Sequence, residues 1–494
     1  MKMKKVMALV LAGMMTVSLA ACGGKDTTPA SDSSADNTNT ETTTPADESN
    51  TGDDATADET PAAELSGNLT IWTLAVDLED MGKKFAEENP GVTVDTTVIA
   101  PADYPTKVDA AIGGGDTSVD IIVGEPQMLQ SMFEAGYFED LNQAPYNAQD
   151  YADKIVDYVW EVGQDADGIQ RAISYQITPA GFYYRRDIAQ EVFGTDDPEE
   201  IGKLFADYDT IIETGKTLKE KGYRIFASDA ETNYFSGDSA WVVDGKLNVS
   251  QSRYDYMDMV VALYQNDLTA YAAQWTAPWY QGMSGPVPIL SADIMWGDWG
   301  ENEEGVTNLN VWDAENFNAN VGNYTDQEAE VFAYGLPAWG VLTMRDNVGE
   351  TSGKWGVCSG PAYGFGGGTF IGISSLSENK ELAWEFIKWA TLNENTADWW
   401  IEFSQGDTVS LIPALEKHAD DGNEIYGGQH LYSFWLEQAE GIDYSKVTQY
   451  DTAIGDAWGQ ACTAVKEGTK SKEEAVNEFY DSVAATYPDL IIER

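Results

Sequence analysis

Hydrophobic positions in this chain fall into short runs and stripes cut apart by glycine, proline and acidic residues. From Leu65 onward the two spacings alternate. Asn68–Leu74 reads as a strand, and Asp80–Asn89 as a helix with Met81, Phe85 and Ala86 on one face, ended by Pro90-Gly91. Val92–Ile99 is the next strand, and Tyr104–Ile112 the next helix, stopped by Gly113-Gly114-Gly115. Ser118–Val123 is a buried strand followed by a helix over Met128–Ala135. This βαβαβ order predicts a parallel sheet with ligand access at the carboxyl ends of its strands, which singles out the turns Leu74–Asp77 and Glu125–Gln127. Glu125 has two readings there, a ligand contact or an acid favoured by a helix N-terminus.

Further along, Gly168–Gln176 reads as a hairpin strand and Ile201–Gly222 as a helix with Leu204, Ile211, Ile212 and Leu218 inward. Ile225–Ser228 is a strand with Asp229 at its end, and a small hairpin turns at Gly245. Tyr254–Gln265 is helical. The richest stretch runs from Phe332 to Ile373. Leu336-Pro337-Ala338-Trp339-Gly340 predicts a short strand ending in an aromatic loop, and Gly353–Val357 a strand entering the core. Gly366-Gly367-Gly368-Thr369 lets backbone approach a neighbour closely before the buried strand Phe370–Ile373. Leu382, Phe386, Trp389 and Ala390 then form a helical stripe. The closing helices are Leu431–Ala439, Thr452–Lys466 and Ser471–Tyr487, the last opened by a capping box at Ser471 and Glu474.

The first 64 residues differ. Lys2, Lys4 and Lys5 precede an apolar run ending Leu19-Ala20-Ala21-Cys22-Gly23. That is a secretory leader over residues 1–21 whose end resembles a bacterial lipobox, so Cys22 is expected to take lipid. Gly23–Glu64 lacks Val, Ile, Leu, Met and every aromatic residue. It is expected to form a disordered acidic tether, about 35 Å in root-mean-square span. The 494 residues call for two lobes or more. A formal charge of −55 excludes nucleic acid as partner and disfavours anionic ligands, while neutral sugars or cations remain compatible.

Several runs together resemble the family 1 extracellular solute-binding proteins, the carbohydrate receptors of ATP-binding-cassette importers, similar to maltodextrin-binding proteins. They are Glu87–Val94, Asp120–Val123, Phe182–Asp187, Trp275–Met283, Pro337-Ala338-Trp339, Gly353–Val357, Gly367–Phe370 and the helix after Glu378. The resemblance implies an α/β fold of the two-lobed periplasmic-binding-protein type (class II), with mostly parallel central sheets and three inter-lobe crossings. It puts 65–175 and 357–405 in lobe 1, and 176–356 and 406–494 in lobe 2. Residues 284–330 depart from the pattern and form either a loop over the cleft or a surface elaboration with its own core. A sugar ligand, a membrane permease, a lipid anchor at the outer face of the bacterial cytoplasmic membrane and a monomeric state are the implied associations.

Catalytic signatures are sparse. His418 and His430 have no metalloprotease spacing, no Cys-x-x-Cys or Gly-x-Ser-x-Gly occurs, and Gly215-Lys216-Thr217 lacks its upstream glycine. Neither a metal nor another cofactor is expected. Cys358 and Cys462 are open to a disulfide or to two free thiols. What remains is aromatic, with 16 Trp in the chain. Indoles suit the C–H face of a sugar, and carboxylates and amides suit its hydroxyl edge. The family resemblance implies that Trp339 faces the sugar. Trp275, Trp279, Trp296 and Trp299 are further candidates, with Asp77, Glu125, Gln127, Tyr175, Gln176, Asp229, Gly367 and Thr369. Trp355, Trp384 and Trp389 are expected in the core. A surface glycoside hydrolase or lyase, and a receptor for a polyamine, are the alternatives.

Overall fold

The structure, a computed structural model, describes residues 64–237, 239–291 and 309–494. The leader over 1–21, Cys22, the rest of the tether to residue 63, Trp296 and Trp299 lie outside these residues.

Two mixed sheets organise the described chain. The first has the order Val92–Val98, Gly67–Thr73, Ile121–Gly124, Phe370–Ile373, Ile173–Ser174. Its first three strands are parallel, as the βαβαβ pattern predicts. Phe370–Ile373 runs antiparallel to both of its neighbours. The second sheet has the order Trp355–Cys358, Ala180–Arg185, Val331–Pro337, Arg224–Phe226, and only its last pair is parallel. The expectation of mostly parallel sheets is corrected here. Strands that enter a sheet from the other lobe have no βα connection to impose a parallel direction.

Helix Asp77–Glu88 buries Leu78, Met81, Gly82 and Phe85, one face of a 3.6-residue period. It starts three residues before the expected Asp80, because Asp77, Glu79 and Asp80 all suit the positive end of a helix dipole. The expected helix over 201–222 is broken into Pro198–Gly202, a tight turn Lys203–Phe205, and Tyr208–Glu220. Asp207 restarts it by accepting the Thr210 N–H at 2.7 Å. Trp339 sits in the two-residue turn after strand Val331–Pro337. It is the cap residue of helix Gly340–Asn347. Strand Trp355–Cys358 lies wholly in the second sheet, so the expected boundary at 357 falls inside a strand, and the chain crosses only after Cys358. Trp355, Trp384 and Trp389 are buried. Cys358 and Cys462 are buried free thiols. The capping box of Ser471 and Glu474 is present.

In the extra segment, Val287–Pro288 pairs with Glu328–Ala329. Leu290, Leu309, Val311 and Phe317 bury against Ala277, so the described part has its own small core.

Gly335, in the middle of Val331–Pro337, is a tight point of the second sheet. A Cβ there would stand 1.7 Å from the Glu231 carbonyl oxygen. Backbone cannot give way as a side chain can, and overpacking of this kind costs about 1–3 kcal/mol or more. Gly335→Ala is expected to lower the unfolding free energy by at least that amount in urea melts.

Candidate functional site

Three chain segments lie side by side where the sheets meet. The Ala180 N–H donates to the Gly364 oxygen at 2.8 Å, and the Gly366 N–H to the Thr178 oxygen at 3.1 Å. The Ser410 N–H donates to the Tyr175 oxygen at 2.7 Å, and the Thr408 hydroxyl to the Ile177 oxygen at 2.7 Å. Gly367 and Gly368 hold φ of 72° and 115°, which only glycine adopts freely. Gly366 lies against the Tyr234 ring, where a Cβ would come within 2.2 Å of it.

An aromatic group is fixed to this junction from the second sheet. The Trp339 Nε1–H donates to the Gly366 oxygen at 2.9 Å, and its half-buried indole stacks on Trp275 at 5.9 Å and 26°. Trp275 is itself half-buried and held at φ 69°. Behind it, Trp279 is fully buried and donates its Nε1–H to Glu231 at 2.7 Å. Trp279 is thereby corrected from ligand contact to support, since its ring has no free face and its one donor is engaged. Glu231 also accepts from Gln274 at 3.3 Å and from the Gly335 N–H at 3.0 Å. Burial outweighs these three donors and pushes its carboxyl up to about 8.

A polar group approaches from the first sheet. Asp77 opens its helix just past strand Gly67–Thr73 and accepts the Tyr175 hydroxyl at 2.7 Å. Tyr175 is buried, with its ring edge on Trp400 at 5.5 Å. Gln176 and Thr369, also buried, meet at 3.4 Å, and Gln176 donates to Asp407 at 3.3 Å. Asp407 is fully buried and accepts from Trp400 Nε1 at 3.1 Å. Its carboxyl is pushed up to about 7, first by burial and then by the charge of Asp77. Burial also raises Asp77, against the bond from Tyr175. Glu125 caps helix Pro126–Glu134 by position, but its side chain accepts from Gln127 and caps no N–H. Burial raises its carboxyl too. Burial first, and then the charges of Glu231 and Glu125, raise the Tyr234 phenol. Arg345 donates to the Ser404 oxygen at 2.7 Å and feels the charges of Asp407 and Asp77.

Asp229 does not join this assembly. It pairs with Lys466 at 2.9 Å on another side of its turn, because Glu231 and Tyr234 occupy the faces towards Trp279 and Gly366. Of the remaining candidates with described positions, Asp77 bonds Tyr175, Gln176 meets Thr369, Gly367 lies against the Trp339 indole that stacks on Trp275, and Glu125 bonds Gln127. Tyr234, Glu231, Gln274, Arg345, Trp400 and Asp407 were missed by sequence reasoning. The two adjacent indoles Trp399-Trp400 were a usable signal; a single acid among 83 was not.

A family model for bacterial extracellular solute-binding proteins matches residues 80–425. The chain belongs to that family. Solved structures share its fold. A family 1 extracellular solute-binding protein is 17% identical, covers 85% of this chain and 99% of its own, and has a TM-score of 0.64. The galacto-N-biose-/lacto-N-biose I-binding protein of Bifidobacterium longum, solved with lacto-N-biose, is 16% identical at TM-score 0.60, over 87% of this chain and 99% of its own. The binding protein of B. animalis subsp. lactis solved with β-1,6-galactobiose is 16% identical at TM-score 0.60, over 87% and 100%. No sequence among the curated proteins matches the chain. The solute-binding protein is thus an exported, two-domain class II α/β receptor.

Glu231 and Asp407 titrate above unfolded carboxylates, which lie near 4. The folded receptor therefore binds more protons than the unfolded chain between about pH 4 and 8, and its stability falls as pH rises through that window. Urea melts are expected to show this fall. Glu231→Gln is expected to flatten it, and an unchanged slope in that variant would show that Glu231 does not titrate there.

Proposed function

We propose that this solute-binding protein is the substrate-binding lipoprotein of an ATP-binding-cassette importer, which captures a sugar or oligosaccharide between its lobes and delivers it to the membrane permease. The observation that supports this best is the half-buried Trp275–Trp339 stack, bonded through the Trp339 Nε1–H to Gly366 at the junction of the two sheets. Sugar-bound neighbours of the same fold add to it. Covering roughly 50–100 Å² of sugar C–H surface with an indole is worth about 1–2.5 kcal/mol. Each well-placed hydroxyl bond adds about 1 kcal/mol net. Two indoles and a few such bonds reach about micromolar affinity, at which a receptor both holds and releases its cargo.

In this reading Trp339 and Trp275 take the ring faces, and Asp77, Glu125, Gln127 and Gly367 the hydroxyl edge. Tyr175, Gln176 and Thr369 form the layer behind them, and Trp296 and Trp299 are additional ring contacts. The lobes are 65–175 with the chain from the second crossing to 405, and 176 to that crossing with 406–494. The change of sheet between Ser174 and Ala180, and between Cys358 and Phe370, supports the first two divisions. Ligand touching both lobes favours the closed state. The protein binds and does not turn over its sugar, works as a monomer, and is held by lipid on Cys22 at the outer face of the cytoplasmic membrane.

A thermal-shift and calorimetry screen of oligosaccharides, with spermidine alongside, tests the ligand class. Trp339→Ala is expected to weaken sugar binding more than tenfold with little change in melting temperature. Saturable binding of spermidine alone, or release of shorter sugars, would overturn the reading. Separately, Cys22→Ser is expected to move the exported protein from the membrane to the soluble fraction, as read by fractionation.

A further inference from the structure

Asp229 and Lys466 line a cavity beside the Asp229–Phe235 turn, and Trp339 is not among its lining residues. Helices Gln251–Gln265 and Asp451–Lys466 and residues 271–273 enclose it, with a volume of about 320 Å³. That is the low end of the range of small-molecule sites, enough for one compact ring.

Four features set this cavity apart from a packing defect. Gly459 lies inside the 16-residue helix Asp451–Lys466, where glycine costs about 1 kcal/mol relative to alanine. Gly459 is exposed and lines the cavity, and a Cβ there would meet no atom within 4 Å, so no close packing requires the glycine. The Ser228 hydroxyl, on a residue lining the cavity, is buried with no hydrogen-bond partner. Leaving such a group unmatched costs about 1–3 kcal/mol. Tyr271, also in the lining, is held at φ 58°, a strained conformation for a non-glycine residue. Its hydroxyl donates to the Tyr264 oxygen at 2.9 Å, which locks the ring in place. Lastly, Asp229 and Lys466 present a fixed acceptor and a fixed donor, each still partly exposed.

The lining chemistry narrows the occupant. Asp229 and Lys466 balance each other, and Glu467 adds a negative charge, so an anion is repelled. Tyr256, Tyr264 and Tyr271 offer aromatic surface for C–H groups. Asp229, Asn233 and Lys466 offer acceptors and donors for hydroxyls. We infer that this cavity is a second binding site, separate from Trp339, for one uncharged hydroxyl-rich ring of monosaccharide size. It does not depend on what the Trp339 site binds.

The test is calorimetry on the full chain with D-glucose, D-galactose and N-acetyl-D-glucosamine as probes, in a Trp339→Ala background. At least one probe is expected to bind there with unit stoichiometry. Adding Gly459→Phe, which fills the room, or Lys466→Met, which removes the donor, is expected to weaken that binding more than tenfold. If Gly459→Phe fails to melt cooperatively, Lys466→Met decides by the same criterion. No binding by any of the three probes in the Trp339→Ala protein, or unchanged affinity in the folded variants, would overturn the inference.

Discussion

The fold turns on backbone packing between three chain segments that share no sequence neighbourhood. Residues 174–180 bond to 364–367 and to 408–410 through main-chain groups and short hydroxyl side chains. Each main-chain group buried at this junction has to find a partner, because leaving one unmatched costs more than the bond itself gains. Side-chain bulk between the segments would separate those partners. That is why glycine stands at 366–368 and why Thr178 reaches the Gly367 oxygen with its hydroxyl at 3.2 Å. The same constraint places the site. A sheet on either side ends at this junction, so whatever projects from it is offered to both.

Two fully buried carboxylates stiffen the junction, and each faces mainly one side. Glu231 ties the Trp275–Trp279 stretch to strand Val331–Pro337 through three donors. Asp407 ties Trp400 to Gln176. A buried carboxyl is a costly way to hold two elements together, as the upward shift of both groups records. An apolar residue could fill the same volume but could not fix the direction of an indole N–H. Holding Trp279 in one orientation holds Trp275 against it at 4.8 Å, and Trp275 in turn faces Trp339. The half-buried indoles are therefore held in place by the groups behind them.

Most of the first sheet was legible in the sequence, because strand and helix spacings there alternate cleanly between turns rich in glycine and proline. The second sheet was harder. Its strands Ala180–Arg185 and Val331–Pro337 are buried along their whole length, so they carry no alternation to reveal a direction. The break at Asp207 was hidden because an acidic cap inside an acidic helix looks like any other polar position. Trp339 could be singled out by its Pro-Ala-Trp context. The burial of Trp279 could not be read from spacing, since only the fold puts its ring behind Trp275. Asp229 ended a strand at the correct end of its sheet, yet a short turn sent its side chain to Lys466. One residue of rotation along a tight turn decides which face a side chain joins, and sequence spacing does not resolve a single residue there.

Charge provides the last step. The described salt bridges sit mostly at exposed side chains, where each is worth little. They leave the chain with a large negative excess. Around the junction that excess becomes Asp77, Glu125, Glu231 and Asp407, and burial shifts all four towards the neutral form. Desolvation thus lowers the tendency of these carboxyls to ionise, and the half-buried Trp275 and Trp339 indoles add apolar surface at the same junction.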